Sequence, residues 1–102
     1  PILQKAILVY KIWHGYFQHL PKLSRYSLGN KIDSSFLNFV ESVYFATYSS
    51  RAGRKLALQK ISKKLDILKL FLQLGWNVEL LDNKKYSAIS IPLSEIGKII
   101  GE

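Results

Sequence analysis

Apolar residues recur along this chain at steps of three and four, in four separate runs. Leu3, Ala6, Tyr10, Trp13, Phe17 and Leu20 make the first, and Ile32, Phe36, Phe39, Val43 and Ala46 the second. Leu58, Ile61, Leu65, Leu68 and Leu72 make the third, and Tyr86, Ile89, Leu93, Ile96 and Ile100 the fourth. A 3.6-residue period places each run on one face of a helix, and no segment alternates with the period of two that a strand requires. Pro21, the stretch Ser49-Ser50-Arg51-Ala52-Gly53, and Leu81-Asp82-Asn83 separate the runs. The pattern therefore predicts helices at about residues 2–20, 24–49, 54–79 and 83–100 of a single domain spanning 1–102. Short connections turn each helix back on its predecessor, so the expected fold is all-α, an up-down-up-down antiparallel four-helix bundle.

Candidate caps fall at the right places: Ser24 or Ser27 for the second helix, Ser50 or Gly53 for the third, Asp82 or Asn83 for the fourth. Two residues cut across the pattern. Gly29 lies near the start of the second helix, where glycine costs up to ~1 kcal/mol against alanine. Pro92 lies inside the fourth and removes a backbone donor, which predicts a kink.

The helices carry more apolar surface than one core uses. On the third, Ile67, Leu70 and Leu74 lie off the main stripe, with Phe71 at its edge. On the second, Leu37, Val40, Tyr44 and Tyr48 form another stripe, and the first adds Ile2, Val9 and Tyr16. Exposed patches of that extent mark interfaces, so a homo-oligomer is expected, held by Val40, Tyr44, Ile67, Leu70 and Leu74. The plainer alternative is a tightly wrapped bundle whose tyrosine hydroxyls reach solvent.

Charge sharpens the picture. Fifteen Lys and Arg stand against seven Asp and Glu, a net charge of +8 on 102 residues. Such a surplus suits phosphate-rich or acidic partners, although it also serves solubility. No acid lies between Glu41 and Asp66, yet Arg51, Arg54, Lys55, Lys60, Lys63 and Lys64 all fall there. Arg54 and Lys55 occupy the first turn of the third helix, where the macrodipole disfavours cations unless an anion is bound. In the predicted topology Lys5 and Lys98 join that end, while Lys22, Arg25, Lys31, Lys84 and Lys85 gather at the other. These cations are the candidate nucleic-acid-binding residues. A solvated basic face is the competing reading.

Other chemistry finds little support. The absence of cysteine excludes disulfides and thiolate metal sites and fits a reducing cytoplasm. No apolar run reaches the ~18 residues of a membrane span. The opening PILQKAILVYKIW carries Lys5 and Lys11 where a signal sequence would be apolar. The sequence begins at Pro1 rather than at methionine, so a few native residues are expected upstream. His14 and His19 are five apart rather than the four of a zinc helix. Asp33 and Glu41 lie about two turns apart, too far for a carboxylate dyad. Asp66, among Lys63, Lys64 and Lys69, reads as an ion-pair partner. With no phosphate-cradling glycine loop and no nucleophile–base set, neither catalytic residues nor a metal nor a cofactor is expected.

Several stretches resemble a known family. Leu20-Pro21-Lys22, followed by Arg25-Tyr26-Ser27-Leu28-Gly29-Asn30-Lys31-Ile32, is similar to a proline, Arg-aromatic-Ser/Thr-Leu-Gly entry into the second helix. Leu65-Asp66-Ile67-Leu68-Lys69-Leu70-Phe71-Leu72 resembles the leucine-rich part of the third. Tyr86 and Glu95-Ile96-Gly97-Lys98-Ile99-Ile100-Gly101 resemble the last helix and its ending. Together, over nearly the whole chain, they resemble the accessory variability determinant (Avd) proteins of diversity-generating retroelements. Relatives in the ribosomal-RNA intervening-sequence four-helix-bundle group share the fold. Pro92 departs from the uninterrupted last helix of that family.

The resemblance implies a basic, barrel-shaped homopentamer with no catalytic group. It would partner a reverse transcriptase and contact template RNA, or its cDNA, during mutagenic copying. The alternative is a structural oligomer of the intervening-sequence group that docks a protein partner and uses its charge only for solubility.

Overall fold

A computed structural model describes residues 1–101, and these are helical throughout apart from short connections. Helix α1 spans Ile2–Phe17. After Pro21 a single rod follows in three parts: a short helix α2 at Lys22–Ser24, a π turn at Arg25–Gly29, and α3 at Asn30–Thr47. Helices α4, at Arg54–Asn77, and α5, at Asn83–Ile99, complete the chain. Helix α3 packs against α1 and α4, and α5 packs against the same two, so the order around the bundle is α1–α3–α4–α5. The rods are antiparallel and the bundle measures 44 by 22 by 19 Å.

The four apolar runs meet in one core. Ala6, Trp13, Ile32, Phe36, Phe39, Leu65, Leu68, Ile89, Leu93 and Ile96 are completely buried there. Trp13 is the largest of them. Its ring lies nearly parallel to Phe17, with centroids 5.5 Å apart, and to Phe36 at 6.2 Å. Each such ring buries roughly 150–250 Å² and dominates the local packing energy. The indole N–H is satisfied by the Asp33 carboxylate at 3.1 Å, which allows a polar atom in so apolar a place.

The second rod differs from expectation. Neither Ser24 nor Ser27 caps it: it starts directly behind Pro21, and the Ser27 hydroxyl bonds back to the Leu23 carbonyl at 3.1 Å. Gly29 is buried at the end of the π turn. A Cβ there would stand 3.0 Å from the Ser24 carbonyl oxygen and 3.3 Å from the Phe17 ring, so a neighbour would have to yield by a few tenths of an ångström. The glycine that looked like a helix defect eases a crowded packing at the turn.

The other ends behave more simply. Gly53 precedes α4, and its N–H bonds to the Ser50 hydroxyl at 3.1 Å. Asp82 caps α5 by accepting from the Lys85 N–H at 2.8 Å. Helix α4 closes in a Schellman motif: Leu80 N–H reaches the Gly75 carbonyl at 2.8 Å and Glu79 N–H the Trp76 carbonyl at 3.1 Å. Glu79 carries the left-handed turn at φ 65°, a conformation more usual for glycine. Helix α5 runs unbroken through Pro92, from Asn83 to Ile99.

The extra apolar surface is redistributed. Val9 lies in the core between α1 and its neighbours, and Ile2, Tyr16 and Val40 are half-buried against it. Val9 and Val40 occupy flanks that adjacent helices cover, so they do not stand in the exposed stripes expected of them. In their place Ile7, Leu8 and Ile12 of α1 and Phe45 of α3 lie in solvent. Leu37 and Tyr44 on α3, Tyr48 just after it, and Ile67, Leu70 and Leu74 on α4 are exposed.

Candidate nucleic-acid interface

The cations divide between the two ends of the bundle and one stripe. At the end where α3 meets α4, Arg51 projects from the connection, and Arg54 and Lys55 are exposed in the first turn of α4. That turn contains no acid, and no side chain caps it. The Gly53 and Arg54 N–H groups are taken by Ser50 and Arg51, while the helix dipole adds to the side-chain charge instead of neutralising it. Arg54 also borders a half-open apolar cavity of about 480 Å³ between Ile2, Val43, Leu58 and Ile99.

Lys60, Lys63 and Lys64 continue along α4 at steps of three and four, and the same steps lead on to Ile67, Leu70 or Phe71, and Leu74. One face of this helix is thus basic over its first half and apolar over its second. Lys60 and Lys63 are exposed, and Lys64 is half-buried.

At the opposite end the cations lie among aromatic rings. Lys22 Nζ and Arg25 Cζ each lie 5.9 Å from the Tyr26 ring centroid. Lys31 Nζ stands 5.3 Å from the Phe71 ring, and Lys85 Nζ 5.6 Å from that of Tyr16. These are cation–π distances, so each ammonium or guanidinium is oriented by a ring. Arg25 is held further by an Nη1 bond to the Gln18 carbonyl at 3.4 Å, while its buried Nε finds no partner. Lys84 is exposed in the first turn of α5. Acids are present here too: Glu79 in the α4–α5 connection, and Asp82, already engaged as a cap.

Charge counting alone missed Tyr26 and Trp76. Tyr26 is 64% exposed within Lys22-Leu23-Ser24-Arg25-Tyr26, and the alternation of cations with an aromatic was the available signal. Trp76 is 40% exposed, stacked on Tyr86 with centroids 4.6 Å apart and planes 4° from parallel. Its N–H is taken by Asn83 Oδ1 at 2.7 Å.

Among the described residues no cluster of three His, Asp or Glu is placed to hold a metal ion. His14 is exposed and shares a 2.9 Å contact with Gln18. Asp33 is committed to Tyr10 and Trp13. No helix among the described residues is long and apolar enough to cross a membrane.

The described residues form an all-helical bundle of four rods with cations at both ends. Residues 2–102 match the sequence profile of the bAvd-like family, and the chain belongs to that family. The family is one of accessory, non-catalytic proteins. No curated protein and no solved structure matches the chain.

Proposed function

We propose that this chain is a non-catalytic accessory component of a diversity-generating retroelement. In this reading it works in the cytoplasm as a basic homo-oligomer, a pentameric ring, that binds template RNA or its cDNA and docks the reverse transcriptase. Family membership supports the accessory role. The observation that carries nucleic-acid binding is the uncapped, acid-free first turn of α4. Arg54 and Lys55 there oppose the helix dipole, an arrangement that a bound phosphate would reverse from unfavourable to favourable.

Two apolar faces support the ring. Leu8 and Ile12 of α1 border a groove with Pro92 of α5, and Ile91 of that helix is 59% exposed. Ile67, Leu70 and Leu74 of α4 lie across the bundle, in the part of it where α3 and α4 pair. Unlike faces on different sides favour head-to-tail association, which closes into a ring when the rotation permits. A ring repeats each basic end once per subunit, so weak single sites sum by avidity.

The test is a pair of titrations of folded protein with RNA at low and moderate salt. Wild type should lose affinity steeply with salt. Arg54→Gln/Lys55→Gln should bind more weakly to all sequences and show a shallower slope, because fewer counterions are released. Equal binding by both proteins, or no salt dependence, would leave the basic segment as a solvated surface on a protein-docking oligomer.

A further inference from the structure

We infer that the end of the bundle bearing Tyr26 and Trp76 grips unpaired nucleotides by base stacking, so that this end selects single-stranded over duplex nucleic acid. The inference rests on the nucleic-acid reading above and assigns a strand preference that charge alone does not give. Phosphate contacts favour the more densely charged duplex, whereas stacking needs a base face that a duplex has already used.

Three observations carry it. First, Tyr26 leaves most of its ring in solvent while Lys22 and Arg25 stand at equal distance from it. A base laid on that ring would displace a cation from over it toward the base's own phosphates. Second, Trp76 is a rigid ring. Tyr86 backs one face at 4.6 Å, and the Asn83 bond fixes its N–H, so its exposed part is a preformed apolar surface with no polar atom left to satisfy. Third, Lys84 and Lys85 lie in the first turn of α5 at this same end, Lys85 over the Tyr16 ring at 5.6 Å, so a further ring–cation pair stands there. Rings alternating with cations are the arrangement by which single strands are held without regard to sequence. Both rings belong to the same end of a bundle that is 22 by 19 Å across. Glu79 and Asp82 at this end dilute the charge, which shifts the balance further from phosphate attraction toward stacking.

Tryptophan fluorescence reads the contact directly. The chain has two tryptophans, and Trp13 is fully buried while Trp76 is exposed. The protein is titrated at one salt concentration with poly(U) fragments and with blunt duplex RNA of equal phosphate number. Poly(U) should quench Trp76 emission and bind more tightly than the duplex. Tyr26→Ala should weaken poly(U) binding about ten-fold, within the range for one base–aromatic stack, and leave duplex binding unchanged. Trp76→Leu should abolish the quench. Tyr26 sits on the surface, so its variant stays informative even if Trp76→Leu disturbs the Tyr86 stack. Equal affinity for the two polymers, or wild-type poly(U) binding by Tyr26→Ala, overturns the stacking inference and leaves the nucleic-acid reading standing. Failure of wild type to bind either polymer at low salt overturns both. Loss of reverse-transcriptase binding alone in Tyr26→Ala assigns this end to protein docking and also overturns it.

Discussion

Tyr10 donates its phenolic proton to Asp33 across 2.9 Å, and this bond ties α1 to α3 at the edge of the core. The same carboxylate oxygen accepts from Trp13, so one acid serves two donors. Burial, then the hydrogen bond to Asp33, then its negative charge, push the Tyr10 phenol up to about 12. Removing the acceptor with Asp33→Ala would strand a fully buried indole N–H, at a cost of roughly 1–3 kcal/mol.

This gives the chain a defined alkaline weakness. The folded state holds the Tyr10 proton more tightly than the unfolded chain, whose tyrosines ionise near pH ~10. The stabilisation is therefore complete below about pH 10 and is lost as pH rises through about 12. Ultraviolet titration of the phenolates should show one of the six tyrosines ionising late. Tyr10→Phe should remove that late component and flatten the fall of stability across the same window. An unchanged titration curve in the variant would contradict the assignment.

Two glycines in helical segments should respond to alanine with opposite signs. Gly15 has nothing within 4 Å of a Cβ, so Gly15→Ala should stabilise by about 0.5–1 kcal/mol through helix propensity. At Gly29 the same change meets the Ser24 carbonyl oxygen at 3.0 Å, a backbone atom with little freedom to yield. Gly29→Ala should destabilise despite its better propensity. Urea midpoints of the two variants against wild type decide the signs.

Leu70 is 53% exposed midway between Ile67 and Leu74. In the proposed ring its contacts are with another subunit, so Leu70→Asp should dissociate the oligomer while circular dichroism stays helical. Light scattering reads the mass. A wild type that stays monomeric at high concentration would leave the apolar face of α4 for a different partner.

The bundle was legible because its core follows a period that the sequence displays openly. Ile61, Leu65, Leu68 and Leu72 are all buried, as their spacing required. The grouping of cations at two ends was legible too, since short connections force antiparallel rods. Flank positions were harder. Val9 sits three residues after Ala6 and four before Trp13, a core spacing that its placement in a second stripe passed over. The π turn left no signature in hydrophobic spacing, because it is defined by backbone bonds over Arg25–Gly29. Glycine at residue 29 looked like a weakness, and the crowding that explains it comes from Leu20, Phe17 and Ser24. The exposure of Trp76 was equally hidden, since it depends on a stack with Tyr86 ten residues away.

A π turn fits one residue more into the rod than a regular helix would hold, a phase slip of about 100°. Its effect here is to uncouple two halves of one rod. Residues from Asn30 onward keep the phase that buries Ile32, Phe36 and Phe39. Residues before it, including Lys22 and Leu23, are turned to a different bearing that the core does not dictate. A single insertion or deletion near Arg25–Gly29 should therefore rotate what the tip presents while Ile32, Phe36 and Phe39 keep their register. The turn works as a joint between a buried interior and an exposed tip.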